Sequence, residues 1–139
     1  MKYLFILLTI IMYSQTSAAP NALKPCPSKP NCVSSLATDE HAITPFQLKK
    51  GTKINVQQLN ATLKKLEANI SVSHDAQQLS AEISSRVFGF VDDLDLIIDT
   101  EQGLLHVRSA SRTGYYDFGV NKRRVERLRA LLKDEGIIQ

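Results

Sequence analysis

The sequence has no apolar segment long enough to cross a membrane as a helix. Its clearest apolar run, LFILLTIIM, follows Lys2 and is far shorter than the roughly 20 residues that a membrane-spanning helix needs. The polar stretch SQTSAAP comes next and ends in small residues, which completes the three-part layout of a secretory signal. We therefore predict a signal peptide over residues 1–18, no transmembrane span after cleavage behind Ala18, and export, so that the protein is periplasmic or secreted. An uncleaved N-terminal anchor is the alternative.

Cysteine is scarce, and this limits the chemistry that thiols can carry. Cys26 and Cys32 are the two cysteines of the chain, six positions apart in a loop that contains several prolines. In an exported protein such a pair typically forms a disulfide, which stabilises the fold by roughly 2 kcal/mol. Thiol exchange or a metal site is the alternative, but the three histidines show no paired ligand spacing. We therefore predict a structural disulfide, no metal and no other cofactor.

The sequence also lacks a large charge excess and the short motifs of common hydrolases. Its formal net charge is +3, and loss of Lys2 with the signal lowers that value by one. Domains that bind nucleic acid usually carry a concentrated basic footprint and a high pI, so we predict no nucleic-acid partner. The serines are not part of a G-x-S-x-G or S-x-x-K motif, which leaves a serine nucleophile without a recognisable activating group.

Helical periodicity occurs at two places in the chain. Apolar residues at helical spacing follow Asn55, and a glutamine stands three positions after it as in a capping box, so a helix is predicted over residues 56–68. A second helix is predicted over residues 121–133, with Asn121 as its N-cap and Gly136 as its stop.

Alternating apolar and polar residues predict strands between the two helices. Residues 90–99 and 104–111 flank a turn and are expected to form an antiparallel hairpin. The register that brings the apolar sides together pairs Ile98 with Leu105, Leu96 with Val107, Leu94 with Ser109, Asp92 with Ser111 and Asp95 with Arg108. Phe90 then lies on the core side. Asp92 does too and needs a partner there, unless a bulge near Gly89 turns it outward.

These elements predict an α+β fold, with an antiparallel β-meander of three or four strands and two helices packed on one face. Residues 19–54 are rich in proline and polar residues, so we expect an extended, loop-rich N-terminal arm that the disulfide pins to the fold. Residues 55–139 carry the α+β elements. The arm and this core are expected to form one domain.

Positive charge is concentrated in VRSASRTGYYDFGVNKRRVERLR, residues 107–129, which contains six arginines and a lysine. Three of these cations fall in the first turn of the second predicted helix, although the helix dipole favours acidic groups there. One interpretation is an internal ion-pair lattice with the acidic residues Asp92, Asp93, Asp95, Asp117 and Glu126. The other is a site for phosphate, sulfate or a lipid headgroup at the helix start, with the candidate ligands Arg108, Ser109, Ser111, Arg112, Asn121, Arg123 and Arg124. Tyr115 and Tyr116 fit either stacking on a ligand or cover of the core edge.

Four blocks of the chain, CPSKPNCVSS, DEHAITPF, FGFVDDLDL and the basic segment, together resemble one family. They are similar to the bacterial and plastid domain-of-unknown-function family numbered 1499. The resemblance implies an exported or membrane-attached envelope or thylakoid-type protein and brings no established reaction or cofactor. The motif positions carried over are Cys26, Pro30, Asn31, Cys32, His41, Asp92, Asp93, Arg108, Ser109, Ser111, Arg112, Gly114, Asp117, Gly119, Asn121, Arg124 and Val125.

Three functions agree with these observations. The favoured hypothesis is a non-enzymatic, exported binding or structural protein of the cell envelope, with an anion site at the start of the second helix. The second is a hydrolase or transferase acting on an anionic envelope substrate, with Asp92 or Asp93 as the base and Arg108, Arg112 or Arg124 clamping negative charge. The third is a module that docks its basic helix face onto an acidic envelope protein partner or a membrane surface.

Overall fold

Residues 22–139 fold as a single sheet with two helices. The computed structural model describes residues 22–139, and the predicted signal peptide and cleavage site lie outside them. Along the chain the elements are β1 (Cys32–Ser34), β2 (Phe46–Gln47), α1 (Val56–Leu66), β3 (Ile70–His74), β4 (Gln78–Ser84), β5 (Val91–Asp99), β6 (Leu104–Ser111) and α2 (Val120–Asp134). The strands form one antiparallel sheet in the order β1-β6-β5-β4-β3, and β2 also pairs with β6. The predicted α+β class is confirmed.

Strands β5 and β6 pair in the register that the sequence predicts. The five predicted pairs are all present: Ile98 with Leu105, Leu96 with Val107, Leu94 with Ser109, Asp92 with Ser111 and Asp95 with Arg108. Burial selects this register, because a shift by one residue would move every apolar side chain to the other face. Asp92 stays on the helix side of β5 and contacts α2, so a bulge near Gly89 does not turn it outward.

The hydrophobic core lies between one face of the sheet and the two helices. Helix α1 contributes Leu59 and Leu63, helix α2 contributes Leu128 and Leu132, and all four side chains are fully buried. The alternate strand residues that face them are Leu79, Ala81, Ile83, Leu94, Leu96, Ile98, Leu105 and Val107. The other face of the sheet carries many polar and charged side chains, so the two faces differ in chemistry.

The helix boundaries agree closely with the predicted ones. Asn55 caps α1, and its Oδ1 accepts a hydrogen bond from the backbone N–H of Gln58 at 2.8 Å. Helix α1 ends at Leu66, two residues before its predicted end, because the backbone becomes extended at Glu67 on its way to β3. Gly136 follows the end of α2 as predicted, with a left-handed φ of +69°. Neither helix of the described chain has the length and apolar character needed to span a membrane.

The N-terminal arm contributes two short strands instead of remaining loop. Strands β1 and β2 both pair with the edge of β6 that β5 leaves open. They have three and two residues, too few for a period-two pattern to stand out, which is why the sequence predicted only three or four strands. The predicted disulfide between Cys26 and Cys32 is present, and it ties the start of β1 to the preceding loop.

The apolar residues at one end of the sheet do not enter the core. Phe90 was expected on the core side of the hairpin, but its side chain is 54% exposed. Strand β5 begins at Val91, and Phe90 belongs to the preceding turn, where its N–H donates to Ser85 Oγ. Tyr115 and Tyr116 are exposed as well, so they do not cover the edge of the core.

Candidate functional site

Side-chain alternation along β6 divides the predicted anion-binding residues between the two faces of the sheet. Ser109 and Ser111 lie on the helix side, where both contact α2. Arg108 and Arg112 lie on the opposite, open face, beside acidic residues of β5. Arg123 lies on the exposed surface of α2 and donates to the carbonyl of the residue five positions before it, at 2.7 Å. The seven residues therefore do not surround one site.

Arg124 and Asp92 form a buried ion pair on the helix side of the sheet. Arg124 Nη2 lies 2.6 Å from Asp92 Oδ2, and the two side chains are only 6% and 15% exposed. Arg124 Nη1 also donates to Asn121 Oδ1 at 2.8 Å and to Ser109 Oγ at 3.2 Å, while its Nε lies 3.5 Å from Glu67. The carboxylate that the strand pattern places on the apolar side thus finds its partner in α2.

Asn121 connects this ion pair to the loop before α2. Its side chain is fully buried, and its Nδ2 lies within hydrogen-bonding distance of Asp117 Oδ2, Ser111 Oγ and the Asn31 carbonyl, at 2.8 to 3.1 Å. Its Oδ1 accepts from Ser109 Oγ at 2.6 Å. Strand β6, helix α2, the loop before α2 and the residue before β1 therefore share polar contacts with one amide.

The prediction that Asn121 is the N-cap of α2 is wrong. Helix α2 begins at Val120, and the cap position belongs to Gly119, which has a left-handed φ of +76° and no side chain to accept a hydrogen bond. Asp117 supplies the missing acceptor. Its carboxylate accepts from the N–H groups of Gly119 at 2.8 Å and Asn121 at 3.1 Å.

The first N–H groups of the helix therefore have a negative partner within the protein itself. Burial opposes ionisation of Asp117, but hydrogen bonds from the Asn121 side chain and from the backbone N–H groups of Asn121 and Gly119 hold the pKa of this carboxyl below its ordinary value of 3.8. The carboxylate is charged at neutral pH and occupies the position that an external anion would need. An anion at this helix start would meet like charge.

On the open face, Arg112 is also engaged by carboxylates of the protein. Its Nε lies 3.1 Å from both oxygens of Asp93, and its Nη2 contacts Asp93 and Glu82. Hydrogen bonds to Asp93 and then to Glu82 raise the pKa of the Arg112 guanidinium above its ordinary value. The internal-lattice interpretation therefore describes both Arg112 and Arg124.

Arg108 differs from these two arginines, because none of its guanidinium N–H groups has a hydrogen-bond acceptor within residues 22–139, whereas Arg124 lacks an acceptor at Nε alone. The nearest carboxylate oxygen, Asp95 Oδ2, lies 3.6 Å from Arg108 Nη1, which is beyond hydrogen-bonding distance. The other oxygen of this carboxylate, Asp95 Oδ1, accepts a hydrogen bond from Ser80 Oγ at 2.8 Å. Arg108 is 8% exposed, and its buried Nε has no acceptor within residues 22–139.

A cleft of about 740 Å³ opens beside Arg108 on this face. The polar residues that line it are Lys24, Ser71, Ser73, Ser80, Glu82, Asp93, Asp95, Arg108 and Arg112. It offers cations, carboxylates and hydroxyls to a polar ligand. Sequence reasoning missed Lys24, Ser80 and Glu82. The pairing of Glu82 with Asp93 in β4 and β5 could have revealed Glu82, whereas Lys24 lies in a segment without periodicity.

The histidine, cysteine and acidic side chains of residues 22–139 do not form a metal site. In the part of the chain that the structure describes, no three histidine, cysteine, aspartate or glutamate side chains are grouped so that they could hold a metal ion. His41 is buried, and its Nδ1 lies 2.9 Å from the Cys32 carbonyl. This contact fixes the residues that follow β1 against that strand.

A one-sheet α+β protein with two helices on one face and a polar cleft on the other is the structural class that these observations define. The chain belongs to the family described as protein of unknown function (DUF1499), whose model matches residues 22–132. The resemblance seen in the four sequence blocks is thereby confirmed. No curated protein and no solved structure matches the chain, so the geometry of the site carries the functional argument.

Proposed function

We propose that this protein is an exported, non-enzymatic binding protein of the cell envelope, and that it holds a small oxyanion at Arg108. The observation that carries the proposal is the state of Arg108, which is 8% exposed and has no hydrogen-bond acceptor among the described residues. Buried polar groups in folded proteins nearly always have partners. A ligand in the adjacent cleft supplies the missing acceptors.

The unused donors of Arg108 favour an anionic ligand. The cleft is lined by three cations and three carboxylates, so its formal charge is balanced. Asp93 and Glu82 are both held by Arg112, and the guanidinium of Arg108 is left without an acceptor. Lys24 is exposed and has no ionic partner within residues 22–139. The planar guanidinium matches a carboxylate or a phosphate in two parallel hydrogen bonds. The ligand chemistry proposed here is therefore a carboxylate or phosphate group small enough for the cleft.

The geometry favours binding over catalysis and over docking through the basic helix face. A general base must be within reach of a substrate proton, but Asp92 is paired with Arg124 and Asp93 with Arg112. The basic helix face is also used inside the protein. Arg129 donates to the Thr44 carbonyl and covers the Phe46 ring at 4.6 Å.

Export rests on the N-terminal sequence pattern and agrees with the presence of a disulfide, which persists mainly in oxidising compartments. N-terminal sequencing of the protein from its natural host tests this step. Ala19 is the expected first residue, and a protein that still begins at Met1 would contradict the proposed cleavage.

Isothermal titration of the chain from Ala19 onward with inorganic phosphate, and separately with acetate, tests the ligand site. We expect saturable binding of at least one of these anions. Arg108→Gln should weaken it by about tenfold or more, because a hydrogen bond to a charged group contributes roughly 1.5 to 3 kcal/mol. Lys24→Ala should weaken it by about two- to fivefold, as expected for an exposed cation.

Lys29→Ala is the matched control, because Lys29 is exposed on the same arm but does not line the cleft. It should bind as the parent chain does. Lys24→Ala keeps the test informative if Arg108→Gln fails to fold. Absence of binding by either anion, or equal affinity of all three variants, would contradict the proposal.

A further inference from the structure

Exposed apolar side chains are concentrated at one end of the sheet. Among the described residues, eight large hydrophobic side chains are exposed; six of them lie in two neighbouring loops and a seventh, Val120, is the first residue of α2. We call this surface the aromatic tip, and its residues are Val87, Phe88, Phe90, Tyr115, Tyr116, Phe118 and Val120. Their exposed fractions run from 38% to 80%. Contiguous exposed apolar surface of this kind marks interaction sites in soluble proteins.

The first loop of the aromatic tip, between β4 and β5, is held in shape by its own hydrogen bonds. The Ser85 N–H donates to the Phe90 carbonyl at 2.8 Å, and the Phe90 N–H donates to Ser85 Oγ at 3.1 Å. The rings of Phe88 and Phe90 stack with their centroids 5.6 Å apart. The two rings are therefore presented together.

In the second loop, between β6 and α2, the side chain of Phe118 points into solvent and its backbone is strained. Phe118 has a left-handed φ of +55°, a conformation that bulky residues rarely adopt, and its side chain is 78% exposed. Arg123 Nη1 donates to its carbonyl at 2.7 Å, and Tyr116 packs edge-on against its ring at 5.1 Å. The structure thus fixes an aromatic side chain in solvent.

Unpaired positive charge surrounds the aromatic tip. Arg86 adjoins Val87, while Lys122 and Arg123 follow Val120 in the first turn of α2. None of the three cations has a carboxylate partner within residues 22–139. Of the two carboxylates beside the tip, Asp92 is paired with Arg124, whereas Asp117 keeps its charge and accepts hydrogen bonds from N–H groups of the helix start. The three cations outnumber this one carboxylate. The electrostatic character of the tip is therefore basic.

We propose that the aromatic tip docks onto the surface of an anionic lipid bilayer. Aromatic side chains are favoured at the boundary between headgroups and acyl chains, and basic residues beside them are attracted to anionic headgroups. A groove of about 500 Å³ between the two loops, lined by Phe88, Phe90 and Phe118 among others, can receive part of a lipid. The proposal does not depend on the oxyanion site, which shares no residue with the tip.

Charge argues for a bilayer over a second copy of the chain. A two-fold symmetric dimer brings the same surface patch together twice, so it would set the cations of one tip close to those of the other. An anionic bilayer compensates the same charges.

Co-sedimentation with lipid vesicles tests the docking. The chain from Ala19 onward is used, because all eight elements and the buried core lie within residues 22–139. We expect binding to vesicles of equal parts phosphatidylcholine and phosphatidylglycerol, weaker binding to phosphatidylcholine alone, and weakening by added salt. Phe88→Ser combined with Phe118→Asn should reduce the partition coefficient by at least about tenfold, since each ring loses its apolar contact. Asparagine tolerates the left-handed backbone at position 118.

Two control variants separate the tip from the rest of the surface. Leu36→Ser removes the exposed large hydrophobic residue that lies elsewhere in the described chain, and it should bind vesicles normally. Arg86→Glu with Lys122→Glu should abolish the preference for anionic vesicles, whereas Lys49→Glu with Lys50→Glu, at the opposite end of the sheet, should keep it. Equal binding by the phenylalanine and Leu36 variants would overturn the proposal. So would the absence of vesicle binding, whether the chain is monomeric or self-associates through the tip in sedimentation equilibrium.

Discussion

Arg124→Ala is expected to lower the free energy of unfolding by about 3 to 5 kcal/mol. The substitution leaves Asp92, whose side chain is 15% exposed, as a nearly buried carboxylate without its ion-pair partner. It also removes the donor to Ser109 Oγ and Asn121 Oδ1. Urea unfolding, followed by circular dichroism at neutral pH, measures the change.

Arg127→Ala is the matched control for this prediction. Arg127 lies on the same helix and contacts the same acidic residue, Glu67, but its side chain is 60% exposed, so the expected loss is no more than about 1 kcal/mol. Replacing both members of the buried pair, with Asp92→Leu and Arg124→Met, should recover much of the stability because no unpaired charge remains. Equal unfolding midpoints for the two alanine variants would show that the Arg124 pair is not the buried contact described here.

Asn121→Ala is expected to lower the free energy of unfolding by about 2 to 4 kcal/mol, because it removes hydrogen bonds from several polar groups inside the protein at once. Ser109 Oγ loses its acceptor, and the Asn31 carbonyl and Ser111 Oγ lose a donor. One side-chain amide serves all of them, so no neighbour can replace it by a small movement. The same urea titration measures the loss.

Asn60→Ala provides the comparison for Asn121. Asn60 lies in α1, and its Oδ1 is buried without a hydrogen-bond partner in the described chain. Its removal should be neutral or slightly stabilising, because alanine also has the higher helix propensity. A loss at Asn121 no larger than at Asn60 would mean that the contacts of the Asn121 amide contribute little.

The register of the β5–β6 hairpin could be predicted from the sequence because burial leaves one choice. With period-two alternation, only the observed pairing sets Leu96 against Val107 and Ile98 against Leu105. The same pattern required a partner for Asp92. It could not identify Arg124 as that partner, since the pattern contains no information on how α2 lies across the sheet.

The start of α2 shows where sequence reasoning had too little information. The crowded cations predicted a nearby negative group, and Asp117 is one, although it accepts from N–H groups of Gly119 and Asn121 and not from these cations. Its role depends on a left-handed Gly119, which turns the chain so that the carboxylate meets the first N–H groups of the helix. Asn121 is an equally good capping residue by type, and only the path of the backbone excludes it.

The strand pattern already predicted that the arginines and serines of this segment lie on opposite faces of the sheet. Period-two alternation puts Arg112 on the face opposite to Ser109 and Ser111, so a single site containing all three contradicts the strand that carries them. The unsatisfied state of Arg108 was not accessible in this way. It depends on the distance between Arg108 Nη1 and Asp95 Oδ2 across the two strands, 3.6 Å, which a pairing pattern does not contain.

Because the helices cover only one face of the sheet, a single strand contributes side chains both to the open cleft and to the interior beneath the helices. Arg108 and Ser109 are adjacent in the chain, yet one borders the cleft and the other is joined to Asn121 beneath α2. A change at even-numbered positions of β6 can therefore alter the face that carries the proposed oxyanion site while its odd-numbered positions keep the interior intact. Recognition and architecture can diverge independently within eight consecutive residues.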